Sequence, residues 1–318
     1  MRTKLYMIAL AAISMMLGSC SDSNSEFSQD FLADTPIKLN VSVDEPTTRA
    51  GYSDADKPTG FVLDVNNNKA EKYNYLVWAK KVGDSWKTYK PDETLKGGTD
   101  EEVTMLWANM NDKVDVTAFT NIGTITIPTD QTSDDQLKEA DVLYMPFTKY
   151  TPTNKGITVN LQHAMSKINL TIELGSEYEF SEEDVDLKIT DVKIDGSSVS
   201  GDLGSSGIYD VSGDPTPITP FRTGTTPYSK TNGVITKATA TYEAILIPQT
   251  IASGKFTVSF KVDGKLYEWA YNQDLTLAPT TAYTLKLIAG DDKVQPVSFS
   301  VAPWNPGNGE NGEKKETD

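Results

Sequence analysis

Imidazoles and thiols, the side chains most used for nucleophilic catalysis and transition-metal binding, are scarce in this chain. His163 is its only histidine and Cys20 its only cysteine, so a His-rich zinc arrangement cannot be assembled and little is left from which to build Ser-His or Cys-His catalysis. Acidic clusters occur at Glu101-Glu102, Asp134-Asp135, Glu182-Glu183-Asp184 and Asp291-Asp292. Two distant acids can build a glycosidase, but these clusters sit in polar stretches, where solvated turns and helix caps are the simpler reading. Asp64-Val65-Asn66-Asn67-Asn68 lacks the ligand spacing and bidentate glutamate of a calcium loop. No glycine-rich phosphate loop leads from a strand into a helix. These residues predict a protein that is not an enzyme and carries no cofactor or metal.

At two other positions chemistry would be done to the chain. Arg2 and Lys4 precede an apolar run from Leu5 to Leu17, too short for a comfortable membrane span, and Leu17-Gly18-Ser19-Cys20 follows. That tetrapeptide resembles the lipobox of bacterial lipoproteins, which makes residues 1–20 a signal peptide and Cys20 a lipidation site; the competing reading is an ordinary signal peptide with a coincidental cysteine. A lipidated Cys20 would anchor the protein to the outer membrane, with residues 21–35 as a flexible polar tether. The second position is Arg49. Ile37, Leu39, Val41 and Val43 alternate with Lys38, Asn40, Ser42 and Asp44, the period-2 pattern of a strand with one buried face. Asp44 to Gly51 then carries Pro46 and Gly51 around a single arginine, so a trypsin-like protease could cut between Arg49 and Ala50. Such a cut would detach a strand from its own sheet and leave unpaired N–H and C=O groups open to another chain.

The elements that would carry these positions are strands. Tyr73 to Ala79, Trp86 to Tyr89, Val103 to Trp107 and Val114 to Phe119 alternate or run apolar between turn signals. Ser133-Asp134-Asp135-Gln136 fits a capping box and predicts a short helix to Ala140. Ile157, Val159, Leu161, His163 and Met165 share one parity, and Ile168, Leu170, Ile172 and Leu174 the other, which predicts a bulge or bend near Ser166-Lys167. His163 falls on the apolar face, where a buried histidine bonded to backbone is the simplest reading. Val185 to Ile194 reads as a strand, Ile208 to Val211 as a short one, and Pro215 to Lys230 as a long loop. Asp263-Gly264 between Phe256–Val262 and Leu266–Tyr271 predicts a two-residue hairpin turn. Tyr283 to Ala289 and Val297 to Val301 are the last strands.

The chain has 318 residues and a formal net charge of -16, enough length for two cores and a surface that repels nucleic acid and anionic lipid headgroups. The spacing predicts an all-β protein with one or a few short helices, in two tandem β-sandwich domains, residues 36–155 and 156–304, followed by a disordered polar tail at 305–318. The five tryptophans, Trp78, Trp86, Trp107, Trp269 and Trp304, leave a second function open: a surface-exposed glycan-binding lipoprotein, against which stands their use in packing.

Several stretches in order resemble the fimbrillin family of Bacteroidetes, the subunits of type V pili, most closely its Mfa-like branch. They are the lipobox through Cys20, Ile37 to Val43 with Thr47-Thr48-Arg49-Ala50, Val114 to Phe119, Leu161 to Ile168, Ile247-Pro248-Gln249, Leu277-Ala278-Pro279 with Tyr283-Thr284-Leu285, and Val301-Ala302-Pro303-Trp304. The resemblance implies two transthyretin-like β-sandwich domains in a structural, adhesive subunit exported as a surface-exposed lipoprotein of the outer membrane and fimbrium. It implies processing at Arg49-Ala50, loss of the strand bearing Ile37, Leu39, Val41 and Val43, and β-strand addition by other pilus subunits as partners, with receptors or glycans as what an adhesin would bind. One departure stands: residues 305–318 have no alternating face to serve as a C-terminal donor strand, so either Val297 to Val301 is the donor or the chain is a tip, accessory or anchor subunit.

Overall fold

The computed structural model describes residues 33–43, 51–53, 56–204, 209–290 and 293–304. Within them β-structure dominates, with twenty-three strands and two short α-helices. β1 (Leu39–Val43), β2 (Gly60–Asn66), β3 (Tyr75–Val82), β4 (Ser85–Pro91) and β5 (Gly98–Glu102) come first, then β6 (Val114–Phe119), β7 (Gly123–Thr126), β8 (Leu143–Tyr150) and β9 (Ile157–His163). All of these but β7 form one eight-stranded sheet in the order β1-β9-β8-β6-β2-β3-β4-β5. Beneath it lies a core that includes Phe61, Leu63, Val77, Met105, Trp107, Val116, Ile157, Val159 and Leu161. β2 is paired along both edges, by β6 and β3, and is buried on both faces over Gly60 to Leu63, where both parities are apolar or glycine.

The chain then continues through β10 (Ser166–Leu174), β11 (Ile189–Asp195), β12 (Ser198–Leu203), β13 (Tyr209–Pro215), β14 (Phe221–Thr226), β15 (Ser229–Thr231) and β16 (Val234–Thr236). β17 (Thr239–Leu246), β18 (Thr250–Ile251), β19 (Thr257–Val262), β20 (Lys265–Ala270), β21 (Leu275–Thr276), β22 (Thr281–Ala289) and β23 (Val294–Pro303) complete it. A five-stranded sheet, β14-β17-β10-β22-β23, and the three-stranded sheet β11-β19-β20 enclose a second core built on Ile168, Leu170, Ile172, Ile245, Phe256, Phe260 and Leu287. Helix α1 (Asp134–Ala140) starts at the Ser133 capping box, with Gln136 reaching back to Ser133 N–H, and buries Leu137 and Ala140 in that second core. In the hairpin between β19 and β20, Asp263 and Gly264 both take positive φ, 48° and 82°, as a type I′ turn requires.

Four local expectations are corrected. The parity change near Ser166 is not a bulge within one strand: β9 ends at His163 and β10 begins in a different sheet at Ser166, so each face is set by its own core. Val185 to Lys188 is helical, in α2 (Glu182–Lys188), because Ser181 and Asp184 form a second capping box and the acids of Glu182-Glu183-Asp184 fill the first helical turn. Val103 to Trp107 is not a ladder strand but an extended segment whose backbone bonds residues 34–37. The long loop expected after Pro215 contains β14, added to the edge of β17. The two cores also interleave around the boundary expected near residue 155. Ile157, Val159 and Leu161 belong to the first, whereas Ile125, Ile127, Leu137 and Val142 belong to the second.

Candidate strand-addition site at the edge of the first sheet

β1 runs along the rim of the eight-stranded sheet, parallel to β9, with Leu39 opposite Ile157, Val41 opposite Val159 and Val43 opposite Leu161. Its period-2 pattern fixes which side faces in. Ile37, Leu39 and Val41 are half-buried against the first core and Val43 is fully buried, while Lys38 and Asn40 point to solvent. Ile37 lies just before the strand proper, where its N–H donates to Met105 O at 2.9 Å. Asp34 N–H donates to Trp107 O at 2.8 Å and Trp107 N–H to Thr35 O at 3.0 Å. The segment therefore spans two supports, antiparallel to residues 105–107 at its start and parallel to β9 thereafter.

Side chains and one glycine hold it in register. Asn40 Nδ2 donates to Lys155 O at 3.0 Å, Ser42 Oγ donates to Asn160 Oδ1, and Tyr73 OH donates to Asp34 Oδ1 at 2.7 Å. Gly156, at φ 82°, lets its backbone pass so close that a Cβ there would lie 2.1 Å from Lys38 O. Only glycine tolerates both that conformation and that approach. Beside β1 on the adjoining strand, Ile157, Val159 and Leu161 are fully buried. Exposing about half of each would cost on the order of 3 kcal/mol in total, and the backbone of β9 would lose its only partner on that side.

The chain re-enters the described region at Gly51 and Tyr52, directly over Asp141. Asp141 Oδ2 accepts from Tyr52 N–H at 2.8 Å, and Asp141 Oδ1 lies 2.8 Å from His163 Nδ1. His163 ends β9 and is buried, stacked on Trp304 with ring centroids 4.2 Å apart and planes within 6°. Its partner is thus a carboxylate rather than the backbone acceptor expected from sequence, a distinction periodicity carries no information about. Burial, then the nearby charge of Asp141, pushes the Tyr52 phenol above its ordinary range. Trp304 follows β23, so this stack ties the strand that receives β1 to the last strand of the other sheet.

A family model described as fimbrillin-like matches residues 48–304. The chain belongs to the fimbrillin-like family. No curated protein sequence matches it. Among the solved structures that match, two illustrate the shared fold. A candidate cell adhesion protein from Bacteroides ovatus superposes with TM-score 0.59 at 15% identity, covering 86% of this chain and 98% of that one. A second, from Bacteroides uniformis, gives TM-score 0.54 at 15% identity, covering 85% of this chain and 98% of that one.

Of the site residues expected in this fimbrillin-like chain, Cys20, Arg49 and Ala50 lie outside the described residues, whereas Ile37, Leu39, Val41 and Val43 all turn toward the first core. The acidic clusters are dispersed. Glu101 and Glu102 sit on exposed β5 beside Lys90 and Lys87, Asp134-Asp135 and Glu182-Glu183-Asp184 open the two helices, and Asp291-Asp292 fall outside the described residues. Among the described residues no three His, Cys, Asp or Glu side chains stand together as a metal site requires. Sequence reasoning missed Gly156, Met105 and Trp107 as parts of the β1 seat. The Lys155-Gly156 turn before a strand was the available signal for the first; nothing local marks the other two.

Proposed function

We propose that this fimbrillin-like chain is a structural and adhesive subunit of a cell-surface fimbria, exported as a lipoprotein on Cys20 and assembled by strand addition after cleavage between Arg49 and Ala50. The seat of β1 is the observation that carries this reading. β1 is a short edge strand, continuous with the arginine segment, flanking a fully buried apolar row on β9. Cleavage would separate it from the domain covalently, leaving its ladder, the backbone bonds of residues 34–37, a few side-chain hydrogen bonds and the apolar side chains of Ile37, Leu39, Val41 and Val43 to hold it. The family match, which begins at Thr48 and omits β1, is in keeping with a mature domain that starts next to Arg49. A neighbouring subunit's extended segment with alternating apolar residues would then fill the row over Ile157, Val159 and Leu161. The two cores correspond in this reading to two sandwich domains in tandem.

On the donor side, Val297 to Val301 forms part of β23, which pairs antiparallel with β22 on both sides of a register shift at Val297 and leaves Val297 and Val301 exposed. Donating it would require undocking it from β22 and withdrawing Trp304 from His163. This favours a subunit that receives a strand over one that gives its own C-terminus. The direct test is N-terminal sequencing of protein shed from the cell surface. A mature chain beginning at Ala50, in high-mass assemblies stable in cold detergent, is expected; a mature chain beginning at Cys20 in such assemblies would overturn strand removal as their cause.

A further inference from the structure

The other end of the first sheet in strand order, at β3 to β5, carries a recess of about 350 Å³ lined by Thr59, Trp78, Lys80, Tyr89, Gly98 and Asp100. We infer that this recess is a saccharide subsite that takes one pyranose unit of a neutral glycan, stacked on Trp78 and hydrogen-bonded by Asp100 and Lys80. Its volume lies at the small end of the range for ligand pockets.

Three observations carry this. Trp78 and Tyr89 are directly opposite one another on β3 and β4, both half-buried, so two aromatic side chains line one small hollow. Of the three half-buried tryptophans, Trp86 packs on Phe61 and Trp269 on Tyr271, whereas Trp78 has no ring partner among the described residues.

Glycines make the room for Trp78. A Cβ at Gly60 would lie 2.5 Å from Trp78 Cζ2, and one at Gly98 would lie 2.6 Å from its Cδ1. The indole rests against bare backbone on β2 and on β5, a placement that larger residues on either strand would forbid. An aromatic seated this way keeps a fixed pose at low entropic cost to a ligand.

The polar complement is uncommitted. Among the described residues the Trp78 indole N–H, the Tyr89 hydroxyl, the Lys80 ammonium and the Asp100 carboxylate make no intramolecular hydrogen bond or ion pair, although lysines elsewhere on this rim are paired, Lys87 with Glu102 at 3.1 Å and Lys90 with Glu101 at 3.8 Å. A carboxylate accepting and an ammonium donating is the combination that fixes vicinal hydroxyls, and the apolar C–H face of a pyranose matches an indole. The formal net charge of -16 selects against uronic or sialic acids through long-range repulsion. The larger hollow beside β12 and β18 offers no such set. Its central polar side chain, Gln249, already bonds Ser198 N–H, Ser198 O and Ile247 O.

The test is calorimetric titration of the purified chain, residues 21–318, with four neutral hexasaccharides built respectively of glucose, galactose, mannose and xylose. At least one should bind with a Kd below about 10 mM, a saturable indole fluorescence change should accompany it, and Trp78→Ala and Asp100→Asn should each weaken it by about tenfold or more. Asp100 is exposed, so Asp100→Asn keeps the fold and retains the decision if Trp78→Ala does not fold. Binding of none of the four, or binding that Asp100→Asn leaves within about twofold, overturns the inference.

Discussion

Lys167 and Glu243 are packed together between β10 and β17, Nζ to Oε2 at 3.1 Å, both almost wholly buried. Burial outweighs the attraction of Glu243 and pushes the Lys167 ammonium below the usual lysine range. In the unfolded chain that group returns to about 10.4. Below the lowered folded value the burial penalty is fully present, and stability rises with pH between the two values because the unfolded state there binds the extra proton. Lys167→Met alone strands a buried carboxylate and should cost about 3–5 kcal/mol in urea unfolding, whereas Lys167→Met with Glu243→Met should return to within about 1 kcal/mol of the parent. A double variant as unstable as the single one would contradict this account. Glu173 behaves with the opposite sign. Burial alone would raise its carboxyl, but hydrogen bonds from Lys286 and Lys237, at 2.5 and 2.9 Å, hold it below the usual range. The stability it supplies is present above about pH 4.3 and lost as pH falls through the folded value. Glu173→Gln should therefore cost about 1 kcal/mol at neutral pH and progressively less as pH falls through the folded value, read from thermal melts across that range.

At the level of elements, β1 is held less by its own five residues than by what receives it. Gly156→Ala places a Cβ on Lys38 O in a backbone region that alanine avoids, so it should destabilise the seat by about 2 kcal/mol or more. Native-state hydrogen exchange should show the consequence locally, with faster exchange at the amides of residues 157–161 and unchanged rates along β22. Equal acceleration in both would mean that β1 is part of one global unit. Trp304→Ala tests the other connection. Removing a buried indole that stacks on His163 should cost about 3–5 kcal/mol and speed exchange both in β23 and at the end of β9, since the stack joins them. Gly156 was readable as a turn residue, but the need for glycine there comes from Lys38, which is 118 positions away in sequence and adjacent in space.

For the whole molecule, charge and assembly oppose each other. Copies cut after Arg49 each carry a formal charge of -14, from 25 basic and 39 acidic residues in 50–318, and strand addition must overcome their long-range repulsion before any ladder forms. Protein cleaved at Arg49 should consequently assemble faster at about 0.5 M salt than at about 0.05 M, followed by light scattering, since screening shortens the repulsion while leaving apolar burial intact. Slower assembly at the higher salt would point to attractive charge pairs at the interface instead. The saccharide recess on β3 to β5 and the β1 seat on β9 are built from different strands of one sheet.

The sequence alone determined what depends on local chemistry and period: the all-β class, the Ser133 helix cap, the Asp263-Gly264 turn, the inward parity of Ile37, Leu39, Val41 and Val43, and the scarcity of histidine and cysteine. Alternation fixes which residues share a face because side chains reverse at every step of a strand. It does not name the strand alongside. Only the tertiary structure decided that β1 lies parallel to β9, that residues 34–37 also bond to 105–107, that the parity change at Ser166 is a passage between sheets, and that Asp141, His163 and Trp304 converge from distant elements. Those outcomes depend on contacts across long stretches of chain, whose partners are selected by the shape and burial of the assembled cores rather than by any residue's neighbours in sequence.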